Sequence, residues 1–473
     1  MIRSMPTSPK TRMIVPLVVA CAYFMENFDG TVITTALPAM AVSLHASAVN
    51  ASVGITAYML AVAVCIPMSG WAADRYGNRS VFRLAIVVFM LASAWCATAT
   101  RLDAFVAARV LQGIGGAMMV PVGRLIVLRS VDKKEFVRAM SIVTVPGVIG
   151  QVLGPPVGGF LANYLSWRWI FYVNIPVGLI GVVLVSILID NVRSDSRRSF
   201  DWWGALLVAI ALGCLVLGLD KVTVGGSTLT CMTIFSIALV SGVLAVRHLR
   251  RCGEPLLELS LLRVSTFATA IAGGASFRMS AAAMGFLLPL LLQIGFGMNA
   301  FNAGILMFFS AMGAFLMKAM SPPILRRFGF RHVLLVNGCL SAISIFLCVL
   351  LEASTPWVVM AAVLLVGGVV RSLQFASLNT VVYADVPPPL ASAATSFASM
   401  VQPLASGAGV AFSALLLRLF STAGGAHAAG QFEIRVALGA AALVVLLGTM
   451  PFRRLAGDAG AALSGHGLAA RPE

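Results

Sequence analysis

A chain of 473 residues that is 59% hydrophobic and 11% charged, with a mean hydropathy of +0.96, excludes a soluble globular class and points to a polytopic membrane protein. The formal net charge of +16 invites a nucleic-acid reading, but the placement of the bases excludes it. Of 33 Lys and Arg residues, 23 fall in segments on the N-terminal side of the membrane, 5 on the other side and 5 within apolar spans, an asymmetry that places both termini in the cytoplasm.

Fourteen apolar stretches of roughly 18 to 28 residues can cross a bilayer. They begin near Met13, Ala51, Ser80, Ala104, Val137, Trp169, Trp202, Leu229, Val264, Asn302, Val333, Pro356, Ser392 and Ile434. Lipid satisfies no backbone group, so each is expected to be a helix and the fold class all-α. The first span holds Glu26 and Asp29, the only carboxylates inside any span. A charge in hydrocarbon costs several kcal/mol unless it meets a partner or water, so these acids are candidate proton carriers. Val18-Val19-Ala20-Cys21 is similar to a lipoprotein cleavage site, but the span continues past it and reads as a retained helix.

The turn after the second span reads Gly70-Trp71-Ala72-Ala73-Asp74-Arg75-Tyr76-Gly77-Asn78-Arg79. Asp74 can accept from a helix N-terminus, and Arg75 and Arg79 can bond carbonyls or carboxylates at neighbouring helix ends. Such a cluster can hold one face shut; a merely topogenic basic loop is the alternative. The fourth span carries Arg109 at a depth similar to that of Asp29. The two can form either a static ion pair or a site poised to titrate. In the fifth span, Gly150, Gly154, Pro155, Gly158 and Gly159 allow close helix approach and a bend, as packing surface or as pivot.

Two further spans, about 201–220 and 229–247, are bracketed by charged linkers. Beyond them the chain repeats: Asp74-Arg75-Tyr76-Gly77 returns as Arg326-Arg327-Phe328-Gly329, 252 positions on, and Gly154 returns as Gly409, 255 positions on. Expected domains are therefore a six-helix half over 1–190, an inserted pair with its linkers over 191–261, a second six-helix half over 262–455 and a disordered cytoplasmic tail over 456–473. The other charges in spans are all basic: Arg124, Lys318, Arg278 and Arg371. Arg124 and Lys318 lie near span ends and can snorkel. Arg278 and Arg371 lie deeper and can grip a carboxylate, or bond packing groups such as Gln374 and Asn379. Gln151, Arg278, Arg371, Gln374 and Gln402 are the expected substrate contacts.

Eight scattered cysteines show no C-x-x-C and no pairing with His at ligand spacing, so neither disulfides nor a metal site is expected. The five His residues fall in loops, span ends or the tail. Tryptophans 167, 169, 202, 203 and 357 sit near span ends and read as interface anchors. No hydrolase or metalloprotease motif occurs, so no enzyme is expected.

Several of these segments, in order, resemble the major facilitator superfamily. The Gly70–Arg79 turn is similar to its loop signature, and Arg109 with Leu111-Gln112-Gly113 to its fourth-helix motif. Gly150-x-x-x-Gly154-Pro155-x-x-Gly158-Gly159 resembles an exporter motif, and Asp29-Gly30-Thr31 through Pro38 a first-helix signature of the fourteen-span drug:proton antiporters (the EmrB/QacA group), closest to the MdtD-like branch. The resemblance implies a major facilitator fold, Asp29 and Arg109 as coupling residues and Asp74 as a gate residue. Glu26 departs from the pattern, as does Arg326, which stands where the first-half loop has its acid.

The expected function is a proton-coupled exporter of small molecules working by alternating access in a bacterial inner membrane. Carboxylate-bearing substrates suit the buried bases. A lipophilic-cation exporter and a non-transporting membrane sensor remain as alternatives. Expected partners are a small molecule, protons and lipid, with no nucleic acid; a monomer is compatible with the chain. No cofactor is expected, the proton gradient being the energy source.

Overall fold

The computed structural model describes residues 9–130, 136–192, 200–224, 227–253, 255–387, 390–423, 430–457 and 459–460. The helices are α1 (Pro9–Ser43), α2 (Ala48–Ala51), α3 (Val53–Tyr76), α4 (Asn78–Thr98), α5 (Leu102–Ser130), α6 (Phe136–Tyr164), α7 (Trp169–Tyr172) and α8 (Asn174–Leu188). Then come α9 (Trp202–Val224), α10 (Thr228–Leu249), α11 (Ser265–Leu290), α12 (Ala300–Val349), α13 (Trp357–Val381), α14 (Ala391–Ala423) and α15 (Gln431–Gly448). Among the described residues no strand occurs, as lipid demands of an open segment. Among the described residues, eleven helices are long and apolar enough to cross a membrane.

Two expected spans run together in α12, which breaks at Gly329 (φ 69°, ψ 165°). The counterpart break lies at Gly77 (φ 91°), between α3 and α4. Both glycines hold a left-handed backbone that side chains resist, and they are 252 positions apart. The same tight turn has therefore been built twice.

Helices α1, α3–α6 and α8 pack into one group, and α11–α15 into another. Val19, Phe82, Phe89, Val122 and Val185 fill the first group's interior toward the Gly77 end. A second core joins Phe28, Val32, Leu37 and Phe105 to Leu287, Leu291 and Leu306 of the other group. The groups meet at the end remote from Gly77. There Gln293 Nε2 donates to the Thr35 carbonyl (2.9 Å), and Phe301 sits 6.1 Å from Phe160 and 5.7 Å from Tyr164. Gly159 abuts Ala300, and Gly304 abuts Pro155, so a Cβ at either would strike backbone.

The inserted α9–α10 pair lies outside, with α9 against α14 and α3. Leu229 and Leu239 of α10 are exposed, as suits a lipid-facing surface. The charged linker is described only in part, since residues 193–199 lie outside the described residues. The expected disordered tail begins too early: Leu455 and Ala459 are buried and Gly460 packs on Phe330, while residues 461–473 lie outside the described residues. Trp167 is not an interface anchor. It is buried (4% exposed) against Phe105 and Phe171, with the Arg168 guanidinium over its ring, whereas Trp169, Trp203 and Trp357 are exposed.

Candidate functional site

Glu26 and Asp29 lie three residues apart on α1, almost one turn, so they share a face at different depths. Their surroundings differ sharply. Asp29 is sealed (0% exposed) in a network drawn from α1, α4, α5 and α8. Arg109 Nη1 donates to Asp29 Oδ2 (2.6 Å) and to the Gln112 side-chain oxygen. Gln112 Nε2 donates to Asp29 Oδ1 (2.9 Å) and Ser93 Oγ (2.8 Å). Asn174 Nδ2 reaches the same two oxygens at 3.4 and 3.3 Å. Arg109 Nε donates to the Gly54 carbonyl (3.4 Å), and its guanidinium lies 4.2 Å from the Tyr58 ring centre. Charges so deeply desolvated persist only with this degree of mutual satisfaction.

Glu26 instead lines a cavity of about 990 Å³ between the two helix groups. Its wall runs through Tyr58, Arg124, Gln151, Arg278 and Gln402, and extends to Gly70, Leu128, Tyr383 and Thr395 at the Gly77 end. Because the groups touch at the other end, the cavity opens toward Gly77. No hydrogen bond or ion pair reaches Glu26 among the described residues, and its Oε2 is buried without a partner. The nearby base looks elsewhere: Arg124 Nε donates to Tyr23 Oη (2.6 Å). The Tyr58 hydroxyl is likewise buried without a partner. On the opposite wall Arg278 Nη2 donates to Asn379 Oδ1 (2.6 Å), one of the packing partners the sequence allows.

Two expected cavity contacts lie elsewhere. Arg371 donates to Ser310 Oγ and to Met284 Sδ (3.0 Å), inside the α11–α12–α13 packing. Gln374 is buried, accepting from Asn337 (3.0 Å) and donating to the Leu334 carbonyl (3.3 Å). Both face neighbouring helices because those helices leave polar groups that need them. Lys318 is exposed on α12, outside the cavity.

The Gly70–Arg79 turn is tied down by the end of α8 and the linker that follows it. Asn78 Oδ1 accepts from Val192 N (3.0 Å), Asn191 Oδ1 accepts from Ser80 N (3.2 Å), and Arg79 donates to the Ile189 carbonyl (3.3 Å). Gly77 packs against Asn191 so closely that a Cβ would collide with it. Trp71 carries Arg75 over its ring (5.8 Å) and meets Phe200 and Trp202 at 5.2 and 5.4 Å, which joins the turn to α9. Gly150, Gly154 and Gly158 pack on α1, while Pro155 and Gly159 meet α12. One face of α6 thus serves packing within its group and the other the contact between groups.

Asp201, His248 and Cys252 bring metal-capable atoms within 4.8 Å of one another, a grouping missed although His248 and Cys252 stand one helical turn apart. The carboxylate is already engaged. It accepts from Gly204 N (2.8 Å), Leu256 N (3.1 Å) and His248 Nε2 (2.7 Å). Burial acts to raise its pKa, but these donors outweigh burial and hold it below the usual carboxylate value. The cluster fastens α9 to the end of α10.

A family model described as Major Facilitator Superfamily matches residues 19–410 and 271–460. A protein of Escherichia coli named "Putative multidrug resistance protein MdtD" is 41% identical over 390 residues, covering 82% of this chain and 82% of its own. Its namesake from Shigella boydii matches equally. Among solved structures, a POT family transporter in complex with 5-aminolevulinic acid has a TM-score of 0.68 at 13% identity, over 95% of this chain and 96% of its own. A bacterial homologue of the human lysosomal transporter Spinster, inward-facing and unoccupied, has a TM-score of 0.62 at 18% identity, over 99% and 100%. The nucleoside transporter NupG scores 0.60 at 16% identity, over 93% and 100%.

Proposed function

The chain belongs to the Major Facilitator Superfamily, and from that premise we propose that it is a proton-coupled multidrug exporter working by alternating access. It is a multi-pass membrane protein and not an enzyme. Fourteen spans follow if α12 is counted twice across Gly329 and α1 and α9 are counted with the eleven long apolar helices. The halves would be 1–190 and 262–455, with 191–261 as the insert. With both termini in the cytoplasm of a bacterial inner membrane, the Gly77 end faces inward and the cavity is open to the cytoplasm.

The observation that carries the reading is the division of labour on α1: a sealed Asp29–Arg109 pair directly behind a carboxylate that faces the cavity. In this reading Asp29 exchanges its proton when the halves rock and Tyr58 shifts off Arg109, while Glu26 serves as modulator or second site. The turn at Gly70, Asp74, Arg75, Gly77 and Arg79 latches the cytoplasmic side of the first half. Its second-half counterpart has Arg326 for the acid, so the latch is asymmetric. One charge crossing about 150 mV releases roughly 3.5 kcal/mol, enough for a gradient of about two to three decades. Arg278, a cavity base with only a neutral partner, favours substrates with a carboxylate. No cofactor enters, and one chain suffices.

The test is transport in proteoliposomes with citrate, tetraphenylphosphonium and norfloxacin as probes. For whichever probe exchanges in counterflow, Asp29→Asn should keep counterflow and lose accumulation driven by a pH gradient. Gradient-driven accumulation at the wild-type level in Asp29→Asn would defeat the reading.

A further inference from the structure

Resting on the exporter reading but going beyond it, we infer that the cavity is a dipolar site for zwitterions, with the cationic end of the substrate at Glu26 and the anionic end at Arg278. The two residues occupy equivalent places. They are 252 positions apart, the offset that also relates Asp74 to Arg326 and Gly77 to Gly329. Glu26 projects from the first helix of one group and Arg278 from the first helix of the other, and both line the same cavity. The internal repeat has therefore put opposite charges on facing walls.

Among the described residues, neither side chain is hydrogen-bonded to an opposite charge. Glu26 has no bonding partner among the described residues, and its Oε2 is buried unsatisfied, as is the hydroxyl of Tyr58, which lines the same cavity. Arg124 could have answered Glu26 but is turned to Tyr23. Its repeat equivalent, 255 positions on, is Asn379, a neutral residue bonded to Arg278. Arg278 thus keeps its full charge and spends one N–H on an amide, leaving others for a ligand. A buried carboxyl without a partner and a guanidinium with only a neutral one leave bonding capacity unmet on both walls. A rigid ligand with an ammonium at one end and a carboxylate at the other satisfies both walls at once. A simple anion or a simple cation leaves one wall unpaired and is disfavoured by it. Glu26 then holds either the ammonium or a proton, which makes binding of substrate and binding of a proton mutually exclusive at one carboxylate and couples substrate release to proton uptake.

The test measures equilibrium binding to purified protein in lipid nanodiscs with no pH gradient. One scaffold carries three charge states: norfloxacin (zwitterion), N-acetylnorfloxacin (anion) and norfloxacin methyl ester (cation). Expected is at least a tenfold preference for the zwitterion over both derivatives. Glu26→Gln should remove the preference for norfloxacin over the N-acetyl compound. Arg278→Gln should remove the preference over the ester, and Arg278→Lys should keep the wild-type order. Equal affinities, a preference for either singly charged derivative, or a uniform loss for all three in Glu26→Gln would overturn the inference. Asp29→Asn separates the two readings: it should keep the zwitterion preference even while pH-driven transport is lost.

Discussion

The first helices of the two packed groups, α1 and α11, stand in equivalent places but bury different chemistry. On α1, Asp29 joins Arg109 of α5 in a sealed ion pair. The equivalent positions on α11 and α13, 252 and 255 residues on, are Ala281 and Leu364, and Leu364 is completely buried. One scaffold therefore accepts either an ion pair or plain apolar packing at the same depth. A buried pair is seldom kept for stability, since well-packed apolar residues often do as well or better. Its retention on one side only points to use, as the proposed coupling site requires.

The largest effect should come from breaking the pair on one side. Arg109→Leu leaves Asp29 uncompensated and should cost about 3–5 kcal/mol, visible as lost yield and a lower melting temperature in detergent. The double variant Asp29→Ala/Arg109→Leu makes the first group resemble the second. It should recover most of that stability while losing gradient-driven transport; failure to recover would show the comparison of the two groups to be mistaken.

Next in size is the contrast between two bases of the second group. Arg278→Gln should weaken binding of carboxylate probes by about tenfold or more, the loss of one charge-assisted contact. Arg371→Gln should alter thermal stability more than affinity, because Arg371 bonds Ser310 and Met284 away from the cavity. Equal losses of affinity in both variants would contradict that placement.

The repeated turn offers a smaller contrast. Gly77→Ala and Gly329→Ala should each cost about 1–3 kcal/mol through their left-handed backbone. Gly77→Ala should cost more, since its Cβ also meets Asn191. Smallest and most local is Asp201→Asn. The native carboxylate titrates below its unfolded value of about 3.9, so its stabilisation is present above that pH and fades as pH falls through the native value. The melting-temperature gap between wild type and Asp201→Asn should therefore be open at pH 7 and narrow as pH falls below the unfolded value.

Composition and hydropathy made the helical membrane class legible, and the spacing of Asp74, Arg326, Gly154 and Gly409 made the repeat legible. Depth counting along antiparallel helices made the meeting of Asp29 and Arg109 legible in the sequence. Ser93 and Asn174 escaped because neutral residues in apolar helices carry no marker of which face they occupy. The same blindness to azimuth put Arg371 and Gln374 in the cavity, where only Gln151, Arg278 and Gln402 of the expected contacts lie. Trp167 escaped because closeness to a span end does not reveal burial under Phe105 and Phe171.

The most direct measurement is uphill accumulation of a probe by reconstituted Glu26→Gln/Asp29→Asn protein under an imposed pH gradient, beside passive counterflow of the same probe. Expected is counterflow that persists, weakened for a probe whose ammonium Glu26 would hold, with no accumulation above equilibrium. Accumulation equal to wild type in this correctly folded double variant would contradict a proton site on α1.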